Sequence, residues 1–162
     1  NYNKYFIHLF EVNNSNAYSD YIKYCWQLDD DLIIIEHDIL YSEWHLKSII
    51  ESKAKLATAR YLLYYENQTY PPYYAHRVII DNTLRNATCQ DNFCDYYGFG
   101  FTKISKDVKK LIDISKIEDF TGWQCLDSVL SRETVKLNIR CEVLPFEVYH
   151  LHYHTVPESF YQ

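Results

Sequence analysis

Glycine and proline are scarce in this chain. Only three Gly and four Pro occur among 162 residues, far below their average combined usage of about 12%. This scarcity excludes collagen-like and Gly- or Pro-rich disordered classes, and it disfavours a glycine-rich loop that would cradle phosphate. Methionine is absent altogether, as is expected more often in proteins of thermophiles.

Long apolar runs and basic charge are also lacking. The longest apolar runs, such as Leu32–Ile35, have the length of a strand, whereas a membrane span needs about 20 apolar residues. The 16 Lys and Arg are outnumbered by 22 Asp and Glu, for a net charge of -6. Since phosphate backbones bind basic surfaces, we expect no nucleic-acid partner. No signal-peptide pattern is present, so we expect a cytoplasmic protein without a membrane span.

The five cysteines include no CxxC pair, so a zinc finger is not expected. Cys89 and Cys94 lie five residues apart in a polar segment, where a local disulfide could form. The spacing leaves the pairing open.

Aromatic residues are abundant. The chain has 17 Tyr and 8 Phe, and 48% of its residues are hydrophobic, which is typical of a folded core and not of a disordered chain. The length suits one domain covering residues 1–162.

The apolar patterning predicts alternating strands and helices. We predict strands at Tyr5–Val12, Leu32–Ile35, Val78–Ile80 and Tyr97–Ile104, and helices at Tyr18–Leu28, Glu43–Arg60 and Trp123–Leu130. We further predict a short helix capped by Ser105, a loop over Thr83–Tyr96, and two strands split at Pro145 within Lys136–His154. This alternation favours an α/β fold with parallel pairing, and the uninterrupted Leu32–Ile35 run predicts a central strand.

The first candidate site is Glu36-His37-Asp38, directly after that strand. Ligands of α/β sheets bind outside the carboxyl ends of strands. In an extended chain Glu36 and Asp38 project to the same side, where they could bracket Mg²⁺ or Mn²⁺. The alternative is two solvated carboxylates where a strand meets a loop. A rival acidic cluster, residues 29–31, lies at the other end of the strand, and we expect it to be a solvated turn.

The second candidate is the alternating run Val148–His154. On a strand, His150, His152 and His154 share one face, and neutral imidazole can ligate a metal. Each could instead be an ordinary core or surface histidine. His152, the central one, is our first choice as a ligand.

The third candidate is Trp123 with Asp127, one helical turn apart. A carboxylate early in a helix can act as a general base, and a neighbouring Trp can line a pocket that binds a sugar or nucleobase. The alternative is a core Trp123 and an exposed Asp127.

In their order along the chain, these features resemble a nucleotide-sugar glycosyltransferase of the GT-A fold. The resemblance is carried by the strand ending in the DxD-like Glu36-His37-Asp38, the later Gly98-Phe99-Gly100 strand, the Trp123 helix with Asp127, and a C-terminal His. It implies a Rossmann-like, mixed and mainly parallel sheet flanked by helices.

The resemblance also implies roles for these residues. Glu36, Asp38 and His152 would hold Mn²⁺ or Mg²⁺, and Asp127 would be the catalytic base. The reaction that the resemblance implies is a single displacement with inversion. Trp123, His37, His150 and His154 would contact the substrate. The partners would be a nucleoside-diphosphate sugar donor and a glycan or protein acceptor.

Two other functions remain open from the sequence. One is a metal-dependent hydrolase of phosphoesters that uses Glu36, Asp38 and the C-terminal histidines. The other is a non-catalytic virion or interaction protein whose Tyr-rich surface binds a partner.

Overall fold

The computed structural model describes residues 16–63, 73–118, 120 and 126–151. The predicted strand Tyr5–Val12 lies outside these ranges, as do Trp123, His152 and His154.

The described residues form four α-helices, a short 3-10 helix at Ile114–Lys116 and eleven strands. The α-helices are α1 (Ala17–Gln27), α2 (Glu43–Glu51), α3 (Lys106–Leu111) and α4 (Leu126–Lys136). The strands are β1 (Leu32–Ile35), β2 (Ile39–Leu40), β3 (Leu56–Arg60), β4 (Leu62–Leu63), β5 (Tyr73–Tyr74), β6 (Arg77–Ile80), β7 (Thr83–Asn86), β8 (Phe93–Cys94), β9 (Phe101–Ile104), β10 (Cys141–Glu147) and β11 (Tyr149–His150). Among these helices, none has the length and apolar character needed to cross a bilayer.

A five-stranded sheet in the order β1-β9-β3-β10-β8 forms the centre of the fold. The α/β class is confirmed, but the prediction of a mainly parallel sheet is wrong. Only β3 and β10 pair in parallel, and the other three neighbouring pairs are antiparallel. The reason is β9, which comes from much later in the chain and inserts between β1 and β3, the two strands that β2 and α2 connect.

Helices cover both faces of this sheet. One face packs with α1, α3 and α4 in a core that includes Trp26, Val108 and Leu130. The other face packs with α2 in a core that includes Ile49 and Phe101. Adjacent strand residues contribute to opposite cores, as the two-residue period of a strand requires.

The predicted helix Glu43–Arg60 is wrong in its second half. It begins as expected, because the Ser42 side chain accepts a hydrogen bond from the His45 backbone N–H. It ends at Glu51, and Ser52 takes extended backbone angles. The next residues form β3, in which Ala57 and Ala59 are completely buried.

Three further predictions need correction. Within the described residues Leu32–Ile35 pairs only with β9 and is an edge strand, not a central one. The predicted loop Thr83–Tyr96 contains β7, which forms a hairpin with β6, and also β8. Pro145 does not split the last strand but lies inside β10 where the register with β3 shifts, a position that tolerates a missing N–H.

The alternative of a Cys89–Cys94 disulfide is not realised. Both thiols are free in this structure, with Cys89 exposed and Cys94 buried.

Candidate functional site

Several chain segments meet at one edge of the sheet. Because β1 and β3 are both antiparallel to β9, and β10 is parallel to β3, these three strands point the same way. Glu36 follows β1, Tyr61 follows β3, and β10 leads into His150. We call this edge, with Asp38 and Asp127 beside it, the carboxyl edge.

Glu36 and Asp38 reach this edge through a tight turn. The Ile39 N–H donates to the Glu36 carbonyl at 3.1 Å, so the premise that Glu36 to Asp38 is extended is wrong. The turn is anchored by the Glu36 N–H, which donates to the Gly100 carbonyl at 3.0 Å. His37 lies exposed at the tip of the turn.

The Glu36 carboxyl group is half-buried. The Tyr18 hydroxyl of α1 donates to its Oε1 at 3.1 Å. Burial raises the pKa of Glu36 to about 7, and the nearby Asp127 and Asp38 carboxylates raise it further, against the lowering effect of the Tyr18 hydrogen bond. Glu36 is therefore a carboxyl group that exchanges its proton close to neutral pH.

Asp38 is held against His150. The short sheet between β2 and β11 places His150 opposite Ile39, and the Leu151 N–H donates to the Asp38 carbonyl at 2.6 Å. His150 Nε2 lies 3.3 Å from Asp38 Oδ2. The other oxygen, Asp38 Oδ1, is buried and accepts no hydrogen bond from the described part of the chain. That oxygen can accept a proton donor or a cation.

Asp127 lies in the first turn of α4. Its Oδ1 accepts a hydrogen bond from the Ser128 N–H at 2.6 Å. Burial nevertheless raises the pKa of Asp127 above its usual value. The helix N-terminus favours the ionised form, but here desolvation outweighs it, so the carboxylate is a stronger base than an exposed Asp.

Tyr61 is a buried tyrosine near these carboxylates. Its hydroxyl accepts a hydrogen bond from the Gly100 N–H at 3.3 Å. Burial raises its pKa well above the usual range, and Glu36, Asp127 and Asp38 all add to this increase. All three carboxylates therefore lie near one phenol oxygen.

Two glycines make room for the Tyr61 ring. A Cβ atom at Gly98 would overlap the Tyr61 hydroxyl, and one at Gly100 would lie 2.8 Å from Tyr61 Cζ and 2.9 Å from Ile39 Cδ1. The Tyr61 ring also stacks with His150, with centroids 5.7 Å apart and planes at 11°. Tyr61 is thus fixed in position.

The rival acidic cluster is a surface turn, as predicted. Asp29 pairs with Lys110 at 2.8 Å, and Asp31 pairs with Lys103 at 3.5 Å. These aspartates lie at the amino-terminal end of β1, away from the carboxyl edge.

The structure brings Glu36, Asp38, Asp127 and His150 to one edge, and His37 is exposed near it. Trp123, His152 and His154 lie outside the described residues, so their predicted roles remain predictions. Across residues 16–63, 73–118, 120 and 126–151, no group of three or more His, Cys, Asp or Glu is arranged to hold a metal ion.

Sequence reasoning missed Tyr18 and Tyr61 as site residues. Tyr18 begins the predicted helix Tyr18–Leu28, whose pattern marks only an apolar face, and no sequence pattern singles out Tyr61. The Gly98-x-Gly100 pattern before a strand was a usable signal, since glycine there often marks the close approach of another group. It does not reveal which side chain approaches.

Comparison with known proteins finds no matching family model, no matching curated protein and no matching solved structure.

Proposed function

We propose that this chain is a divalent-cation-dependent glycosyltransferase that moves a sugar from a nucleoside diphosphate to an acceptor hydroxyl group, with inversion. One observation carries the proposal: Glu36, Asp38 and Asp127 lie near enough to one another at one sheet edge that Asp127 and Asp38 raise the pKa of Glu36, and all three raise that of Tyr61. Like charges this close destabilise one another, so the site favours a positively charged ligand.

The chemistry of these side chains fits a hard cation. Mg²⁺ and Mn²⁺ prefer carboxylate oxygens together with substrate phosphate and water, and Asp38 Oδ1 is a buried oxygen without a hydrogen bond from the described residues. Glu36 and Asp38 would hold the cation, and His152 is the ligand expected from outside the described ranges. When bound, the cation offsets the charge that develops on the departing nucleoside diphosphate.

Asp127 is the proposed base. Its raised pKa brings it closer to working pH, where a general base is most effective. It accepts the proton of the acceptor hydroxyl as that oxygen attacks the anomeric carbon from the face opposite the leaving group. One displacement of this kind inverts the anomeric centre.

We also propose that the architecture is GT-A-like. What supports it is the shared direction of β1, β3 and β10, which gathers strand ends at the carboxyl edge. Product analysis distinguishes a glycan acceptor from a protein acceptor.

The test is product analysis with a panel of nucleotide sugars, Mn²⁺ and mixed glycan acceptors. We expect transfer by the unmodified chain, and a turnover lower by about 10²–10⁴-fold in Asp127→Asn with donor binding nearly unchanged. Asp30→Asn is the matched control, because Asp30 is exposed in the surface turn; it should retain full turnover.

Other outcomes would overturn the proposal. Phosphoester cleavage without sugar transfer would assign a hydrolase. An Asp127→Asn variant that loses donor binding while its turnover per bound donor survives would make Asp127 a ligand. If neither sugar transfer nor phosphoester cleavage occurs with any donor, the chain is a binding protein and not an enzyme of either class.

A further inference from the structure

Two buried thiols face each other at the amino-terminal end of β10, away from the carboxyl edge. Cys94 in β8 and Cys141 in β10 are direct partners in an antiparallel pair. They are 0% and 1% exposed, respectively, and both are free thiols in this structure. Their side chains pack in the same core cluster, so they project to the same face of the sheet.

The backbone spacing suits a covalent link. The Val143 N–H donates to the Asn92 carbonyl at 2.8 Å, two residues along from Cys141 and Cys94. Hydrogen-bonded pairs recur at every second position of an antiparallel ladder, with Cα atoms about 5.5 Å apart. A disulfide needs Cα atoms about 4.4–6.8 Å apart, which this spacing meets, and the Cys94 and Cys141 thiols are close enough to form a hydrogen bond. A disulfide also needs Cβ atoms about 3.5–4.5 Å apart, and opposite Cβ atoms in a ladder lie about 4.5–5.5 Å apart, so the bridge closes with a small local shift of the two-residue strand β8.

We propose that Cys94 and Cys141 form an intramolecular disulfide when the chain meets a small-molecule disulfide such as oxidised glutathione. The thiolate of one cysteine attacks the glutathione disulfide, and one glutathione leaves with the proton that the cysteine gave up. The second cysteine attacks the sulfur of the first, and its own proton goes to the second glutathione released. Two protein thiols are oxidised, and one glutathione disulfide is reduced to two glutathione thiols.

Burial makes this exchange slow, because neither thiol is open to solvent. The reaction therefore proceeds through local opening of β8, a two-residue strand at the end of the sheet order. Cys89 is exposed in the turn before β8, but it is not opposite either thiol. The structure therefore favours the Cys94–Cys141 link over the Cys89–Cys94 link that the sequence left open.

The link would fasten the segment before Cys94, which includes the β6–β7 hairpin, to the strand β10 inside the sheet. Closing a long loop restricts the unfolded chain. We expect oxidation to raise the midpoint of thermal unfolding by roughly 5–15 °C, and a thiol reductant to reverse the increase.

The test incubates the full chain with oxidised glutathione, alkylates the remaining thiols and maps peptides without reduction. We expect a mass loss of about 2 Da, a Cys94–Cys141 peptide and the higher midpoint. Cys89→Ser, the matched control, should retain all three, and Cys141→Ala should lose them. If Cys141→Ala fails to fold, the peptide map of the unmodified chain decides.

A map that links Cys94 to Cys89, Cys25 or Cys125 would overturn the proposal. So would complete alkylation of Cys94 and Cys141, or glutathione left attached to one of them with no bridge.

Discussion

At the scale of single residues, Glu36 has the most unusual environment at the carboxyl edge. It lies under Tyr18 of α1 and near two other carboxylates. Tyr18 stabilises the charged form of Glu36 with one hydrogen bond, but burial and the neighbouring like charges outweigh it. The pKa of Glu36 in the folded chain is therefore about 7, compared with an ordinary value of 4.5.

This difference predicts a stability that depends on pH. Between about pH 4.5 and 7 the folded chain binds more protons at Glu36 than the unfolded chain does, so the contribution of Glu36 to stability falls as pH rises. Because Gln is neutral at every pH, Glu36→Gln removes this loss of folding stability with rising pH. We expect Glu36→Gln to match the unmodified chain near pH 4.5 and to exceed it at pH 8, by on the order of 3 kcal/mol of unfolding free energy.

Urea unfolding at both pH values, without added metal, checks this expectation. Glu51→Gln, a change in an exposed residue at the end of α2, should differ from the unmodified chain by no more than about 0.5 kcal/mol at either pH. A Glu36→Gln variant that is less stable than the unmodified chain at pH 8 would show that the Glu36 charge is favourable, contrary to this account.

At the scale of elements, the segment that leads into β9 depends on the absence of side chains at Gly98 and Gly100, because the Tyr61 ring occupies that space. We expect Gly98→Ala to destabilise the fold by about 1–3 kcal/mol through overpacking. Tyr61→Phe removes the hydroxyl that the new methyl group would meet. The double variant should therefore be less destabilised than the sum of the two single variants, by about 0.5–3 kcal/mol.

The measurement is a double-mutant cycle of unfolding free energies. Additive effects would contradict the close approach of Tyr61 to Gly98. Tyr24→Phe, which alters an exposed tyrosine of α1, paired with Gly98→Ala is the control and should be additive.

The elements that the sequence predicted well are those with local signals. Ser105 caps α3 as predicted, and Ser42 caps α2 in the same way, because a serine hydroxyl accepts an N–H of the first turn. The end of α2 carries no such signal. Lys53-Ala54-Lys55 favours a helix by propensity, and Leu56–Arg60 becomes a strand only because burial between β9 and β10 decides its state.

The β6–β7 hairpin carries a local sequence signal at its turn, Asp81-Asn82. Asp81 and Asn82 both have positive φ, at 49° and 59°, as the tightest hairpin turns require. Asn and Asp adopt such angles more readily than other non-glycine residues.

At the scale of the whole molecule, the sheet order could not be read from the sequence. Alternating strands and helices suggest parallel neighbours, but β9 pairs between β1 and β3 from about 40 residues or more away along the chain. Long-range pairing of this kind leaves no periodic pattern. The direction of β1 was nevertheless sufficient to place Glu36 and Asp38 at a strand end, which is why part of the candidate site was predicted although the topology was not.

The most direct test of the central claim is calorimetry of nucleoside-diphosphate binding by the full chain, with and without Mn²⁺. The account predicts binding that requires Mn²⁺, that is weakened at least about tenfold in Asp38→Asn, and that is unchanged in Asp30→Asn. Binding of equal strength with and without Mn²⁺, or no binding of any nucleoside diphosphate in its presence, would contradict the claim that the carboxyl edge is a cation-dependent nucleotide-sugar site.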